Sequence, residues 1–264
     1  MPAKTKKEFE EIFLQANAER RKYRRMYQSS VSNTLFEYAC DEHFAIGDVC
    51  DEIGVEGIRL SRNVIDVQDE GHVSQLITQA DDHKTADAWV SLPCADFTPW
   101  QHMNVHRHGW GFQQKLDKRR KQVRKMFAQA KRFMKKILAE GGRVDFEWPE
   151  NSGWWNLEEV KDFEKEHAFR RVYFDGCMIG AHGKDCPIRK PWCVSSCDER
   201  ILTILAAYQC DSHQHEPAED SQTKQTGFYT RQFASVIVEA WYPQKWFQHV
   251  PNLSTSSAVV TLRT

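Results

Sequence analysis

The sequence contains no apolar run near the roughly eighteen residues that a membrane-spanning helix needs. Its first residues (Lys4, Lys6 and Lys7, then Glu8, Glu10 and Glu11) lack the apolar segment of a signal peptide. These two absences exclude a membrane partner and predict an intracellular protein, of the nucleus or the cytoplasm. Net charge is also nearly missing, at −1, so the chain as a whole carries no polyanion-binding or membrane-surface signature. No internal repeat is present. The eight cysteines include no Cys-x2-Cys knuckle and follow no regular spacing, which favours thiols or metal ligands over a disulfide framework. Neither His-Glu-x-x-His nor His-x-Glu occurs, which argues against a catalytic zinc of the protease or deaminase kind.

What is present is a composition ordinary for a globular protein, 41% hydrophobic and 28% charged over 264 residues, enough for a large core. Residues 4 to 28 read as a helix, with Phe9, Ile12, Phe13 and Ala16 at helical spacing and a basic patch from Arg20 to Arg25. From Thr34 onward, short apolar runs alternate with helical stretches. Strands are expected at Leu35 to Cys40, Gly57 to Leu60, Ala88 to Leu92, Arg143 to Pro149, Arg170 to Phe174 and Cys193 to Ser196. Helices are expected at Phe44 to Ile53, Gly71 to Gln79, Lys115 to Lys136, the stretch ending at Phe163, and Gly227 to Trp241. Val64 to Val67 adds a further apolar run, and residues 211 to 226 read as a polar loop. The fold class is therefore α/β and Rossmann-like, a mainly parallel sheet with helices on both faces. Residues 1–30 form an N-terminal helical extension, residues 31–264 one α/β domain, and 177–215 a Cys/His-rich segment within it.

The strand at Ala88 to Leu92 ends abruptly in Pro93-Cys94, which puts a thiol on the first turn after a buried strand. In open α/β sheets, chemistry gathers at the carboxyl ends of strands. A His- and Gly-rich stretch from His102 to Gln114 follows and reads as a mobile loop. Next comes a helix carrying eleven Lys and Arg residues against the single acid Asp117. Like charges three and four apart cost helix stability, so Lys118, Arg119, Arg120, Lys121, Arg124 and Lys125 are read as a polyanion-binding face. A second reactive type, Glu147, then closes the strand that ends in Glu147-Trp148-Pro149.

Pro93-Cys94-Ala95-Asp96-Phe97-Thr98 and Glu147-Trp148-Pro149 resemble motifs IV and VI of the DNA cytosine-5 methyltransferases, Pro-Cys-Gln-x-Phe-Ser and Glu-Asn-Val. Ala95 stands where the family has Gln, and only the glutamate of motif VI is kept. Arg189, before Trp192-Cys193-Val194, resembles the arginine of motif VIII, and Phe36 to Cys40 occupies the place of motif I without its glycines. Asp66 occupies the place of the motif III acid. The resemblance implies a class I S-adenosylmethionine-dependent methyltransferase fold, with Cys94, Glu147 and Arg189 catalytic and Phe36, Glu37, Cys40, Asp66 and Pro93 at the cofactor. Cys94 would add to cytosine C6 and Glu147 would protonate the ring near N3. It further implies nucleic acid as partner, DNA ahead of RNA. Degenerate domains similar to this one occur in retroelement polyproteins, which keeps a catalytically silent nucleic-acid-binding domain as the alternative. Finally, Cys197, Cys210, His213 and His215 form a Cys-x12-Cys-x2-His-x-His array that could fill a tetrahedral structural zinc shell.

Overall fold

The chain is described by a computed structural model covering residues 32–40, 45–61, 63–81, 83, 85–217 and 227–249. The helix expected over residues 4 to 28 lies outside these. Six strands form a single sheet in the order β2-β1-β3-β4-β6-β5. They are β1 (Thr34–Tyr38), β2 (Glu56–Leu60), β3 (Asp87–Val90), β4 (Val144–Pro149), β5 (Arg170–Asp175) and β6 (Pro191–Ser196). The first four pair in parallel, whereas β6 runs antiparallel to both of its neighbours.

Strand alternation sorts the core into two layers. Phe36, Tyr38, Ala88, Val90, Phe146 and Trp148 face one side. There they meet α2 (Glu70–Ala80), α3 (Trp100–Ala139) and α4 (Glu158–Glu166). Leu35, Trp89, Phe174 and Val194 face the other. There they meet α1 (Ala45–Glu52), α5 (Glu199–Ala206) and α6 (Arg231–Trp241), which leads into a short α7 (Pro243–His249). Side-chain oxygens start three of the helices: Asp69 accepts from the His72 amide, Asp198 from that of Arg200, and Thr230 from that of Phe233. The run Val64 to Val67 is turn rather than strand, with Val64 exposed. α5 and α7 went unread in the sequence.

The stretch from His102 to Gln114 is helical, not a loop, and it belongs to α3. Within α3, Gly109 alone leaves helical geometry, at φ 68° and ψ −162°. A straight helix from Trp100 to Arg119 would span about 28 Å. Yet Arg119 Nε lies 2.7 Å from Asp96 Oδ1, and Arg120 Nε donates to the Asp96 carbonyl at 2.8 Å. The chain therefore doubles back at Gly109, where the positive φ suits a residue without Cβ. Trp100, Met103 and Trp110 stand exposed on this excursion.

At the amino edge of the sheet, a buried ion pair ties β3 to β4. Arg143 Nη2 lies 2.5 Å from Asp87 Oδ2, its backbone amide donates to Oδ1 at 2.7 Å, and the Tyr242 hydroxyl donates to Oδ2 at 2.7 Å. Asp87→Ala would strand the guanidinium without its counterion. The expected cost is about 3–5 kcal/mol in chemical denaturation. A loss below about 1 kcal/mol would show that Arg143 finds water or another acid instead.

Candidate functional site

From β1 the chain passes to β2 on one side and then, through α2, to β3 on the other. The sheet therefore switches direction at β1, and the crevice of such a fold lies at the carboxyl ends of the strands on either side of the switch. The Pro-Cys turn leaves β3 at that edge. Two indoles hold it from below: Trp148 Nε1 donates to the Leu92 carbonyl and Trp154 Nε1 to the Pro93 carbonyl, each at 3.0 Å. The same two rings stack at 4.8 Å, and Phe97 lies 4.6 Å from Trp154 on its far side. Cys94 then caps a single 3-10 turn, Ala95–Phe97, as a half-buried free thiol. Rigid aromatic packing, rather than loop chemistry, sets its position.

Glu147 follows one residue beyond the Val90 to Phe146 pairing of β3 with β4, on the face opposite Phe146 and Trp148. Its Oε1 accepts from the buried Tyr229 hydroxyl at 2.5 Å. That hydroxyl has one proton and two lone pairs. With its proton on Glu147, it accepts from Trp89 Nε1 at 2.8 Å and from Ser91 Oγ at 2.5 Å, so all three positions are used. Glu147 Oε2 is buried without a hydrogen-bond partner. Burial pushes the Glu147 carboxyl up to about 7, against the Tyr229 hydrogen bond and the Lys190 charge.

Burial, and then the charge of Glu147, raise the Cys94 thiol to about 11, while Lys190 opposes both. The Lys190 ammonium is in turn held below its usual value by burial, and it rests 4.0 Å over the Trp192 ring. Cys94, Glu147 and Lys190 thus form one electrostatically linked group, with Ser91 and Tyr229 behind the carboxyl.

Arg189, the residue expected to join Cys94 and Glu147, turns elsewhere: its Nε bonds Asp175 Oδ1 at 2.9 Å and its side chain is otherwise exposed. Lys190 takes the inward place. The remaining expected residues divide by exposure. Phe36 packs edge-on against Phe133 in the core. Glu37 is fully buried, accepts from the Gly47 amide at 2.9 Å and lies 3.7 Å from Arg59. Burial lifts its carboxyl to about 8. Cys40 is buried as well. Asp66 and Pro93 are exposed. Where the glycine-rich loop of motif I would turn, Ala39 adopts φ 60°.

On α3, the six expected phosphate-binding residues are of two kinds. Arg119 and Arg120 hold Asp96, and Arg124 forms a two-point pair with Glu159 at 2.5 and 3.1 Å. Lys118, Lys121 and Lys125 are exposed, with no carboxylate partner among the described residues. Lys121 and Lys125 line a groove there with Phe97 and Lys131, to which Asp117 and Glu159 also contribute.

The Cys/His cluster also differs from the expected set. Cys177, Cys210, His213 and His215 place their ligand atoms within 4.8 Å of one another and could hold a metal ion. Cys197 is not among them. It follows the carboxyl end of β6, whose antiparallel course carries it to the opposite edge of the sheet, about 20 Å away. Cys177, Lys190, Ser91 and Tyr229 were all missed by sequence reasoning. Tyr229 and Ser91 lie 138 residues apart, and only the fold unites them.

No helix of the described residues is long and apolar enough to cross a membrane. No family model, curated protein or solved structure matches the chain.

Proposed function

We propose that this chain is a methyltransferase-like domain acting on cytosine C5 in DNA, with Cys94 and Glu147 as its reacting groups. The observation that carries this reading is the pairing of a rigidly held thiol with a buried carboxyl of near-neutral pKa on adjacent strand ends of one carboxyl edge. Cytosine C5 is a weak nucleophile until sulfur adds to C6. Cys94 first gives up its S–H proton to water; as the Sγ–C6 bond then forms, the displaced ring electrons need a proton at N3, and Glu147 in its protonated form carries one. That form also withdraws the negative charge opposing a Cys94 thiolate, while the Lys190 charge favours it. The base must leave its duplex stack first, at a cost of a few kcal/mol. Arg119 and Arg120 bind the Cys94 turn directly to α3, so phosphates drawn to its lysines would lie beside the site.

S-adenosylmethionine would supply the methyl group. Asp66 and Pro93 are accessible to it at the edge, whereas Phe36, Glu37 and Cys40 are buried in contacts of their own and do not fit that role. This burial favours the second reading, a catalytically silent nucleic-acid-binding domain of the same fold, as in a retroelement or viral polyprotein. A duplex containing 5-fluorocytosine, offered with S-adenosylmethionine, separates the two. The enzyme reading expects a covalent protein–DNA adduct. Salt-dependent duplex binding with neither adduct nor calorimetric heat from S-adenosylmethionine would leave the silent domain.

Both readings need α3 to bind phosphate. Changing Lys118, Lys121 and Lys125 together to Gln spares the arginines that hold Asp96 and Glu159. It should weaken binding to any duplex and flatten its salt dependence by a slope of about 0.9 per lost contact. An unchanged slope would remove α3 from the interface.

A further inference from the structure

We propose that Cys177, Cys210, His213 and His215 form a tetrahedral zinc site that fastens the irregular segment 208–217 onto the end of β5. Zinc sits about 2.3 Å from thiolate sulfur and about 2.0–2.1 Å from imidazole nitrogen, so the edges of its ligand tetrahedron measure about 3.3–3.8 Å. Three of the six separations fall on those edges, and all six lie within 4.8 Å. His215 Nε2 lies 3.3 Å from Cys210 Sγ and 3.4 Å from Cys177 Sγ, and His213 Nδ1 lies 3.7 Å from Cys210 Sγ. Two thiols and two imidazoles are a donor set that selects zinc among the common divalent ions. His213 Nδ1 also lies 3.2 Å from Asp211 Oδ1, a contact this nitrogen would give up on binding the metal. The Ser212 amide donates to Cys210 Sγ at 3.4 Å, a contact that favours the thiolate form which zinc requires.

The backbone delivers these ligands to one place. The Asp175 amide donates to the Tyr208 carbonyl, and its carboxylate accepts from the Cys210 amide, both at 2.9 Å. Cys210 is thereby laid alongside Cys177, two residues past the end of β5. Beyond it, the Glu216 amide donates to the Pro187 carbonyl at 2.9 Å, and Glu216 Oε2 accepts from the Asp185 amide at 3.0 Å. Residues 211–217 form no helix or strand and contain no large apolar side chain to bury. A metal would supply the cohesion that a hydrophobic core supplies elsewhere, and binding would release the two thiol protons.

The test uses the full chain, purified under reducing conditions, equilibrated with zinc and dialysed against a weak chelator. Elemental analysis should find one zinc ion per chain, and cobalt(II) in its place should give the intense visible bands of a tetrahedral site with thiolate-to-metal charge transfer. Cys177→Ser and His215→Gln should each weaken zinc binding by more than the roughly tenfold to hundredfold typical of outer-shell changes. Cys197→Ser should bind as the unaltered chain does. The assignment is overturned if the reduced chain retains no zinc, or if both Cys177→Ser and His215→Gln bind it undiminished. A mass deficit of two hydrogens mapping to a Cys177 to Cys210 disulfide in the non-reduced chain, with no metal taken up after reduction, would overturn it equally. Should the variants fail to fold, the cobalt spectrum of the unaltered chain decides: absence of a thiolate band sinks the proposal.

Discussion

Cys94→Ser is expected to abolish covalent capture of a 5-fluorocytosine duplex while leaving fold and non-covalent duplex affinity almost unchanged. Once sulfur has added to C6 and a methyl group has reached C5, release requires loss of the proton at C5. Fluorine in that position cannot leave as a proton, so the adduct persists. A serine hydroxyl holds its proton far more tightly than a thiol and would not add. The substitution should be benign for folding, because the turn is held through the Leu92 and Pro93 carbonyls and through Phe97, none of which touches the thiol's own chemistry. At a half-buried position the cost should be about 1 kcal/mol or less. The measurements are a denaturing gel for the adduct, a urea midpoint and a binding isotherm. An adduct that survives in the variant would acquit Cys94. A destabilisation well above that figure, with no adduct from either protein, would mark the thiol as packing.

Raising the pH from about 5 to about 8 should destabilise the protein by several kcal/mol. Glu37 and Glu147 are pushed by burial to about 8 and about 7, against an ordinary value of 4.5. Between the unfolded and folded values the native chain holds protons that the unfolded chain has released. The stabilisation is therefore fully present below about pH 4.5 and is lost as the pH rises through each folded value, at about 1.4 kcal/mol per pH unit per group. Asp145, fully buried on the same strand as Glu147, is held well above the carboxylate range by burial and acts in the same direction. Glu52, Glu159 and Glu166 lie below their ordinary value and act at lower pH, outside this window. Urea midpoints across the range should fall with pH, and Glu37→Gln should flatten the decline. Stability that is level or rising between these limits would mean that the buried carboxyls are ionised with partners.

The alternation of apolar runs with helical stretches made the strands, their approximate limits and the parallel core of the sheet legible in the sequence. The reversed direction of β6 was not, because a strand buried on both faces reads the same whichever way it runs. That one reversal explains the misplacement of Cys197, which it carries to the far edge. The exchange of Arg189 for Lys190 has a similar cause: neighbouring residues entering a strand point to opposite faces, so a single position of register decides which one reaches the site. The stretch from His102 to Gln114 concealed its helices because few of its residues are apolar at helical spacing, and the glycines within it read as loop. The placement of Cys94 and Glu147 toward the ends of adjacent strands was legible because the apolar runs that carry them were. The shell around them was not, since Ser91 and Tyr229 meet only after the whole of the sheet and α6 have formed.

The doubling back of α3 at Gly109 makes the segment between Phe97 and Leu116 a closed arch rather than a free arm, since both feet are buried. Opening a surface segment of this kind costs less than unfolding the core beneath it. One foot is also clamped by Arg119 on Asp96, a partly exposed pair and therefore a weak one. Loss of that clamp, as in Arg119→Gln, would loosen the foot nearest Cys94 while leaving the buried core beneath it in place.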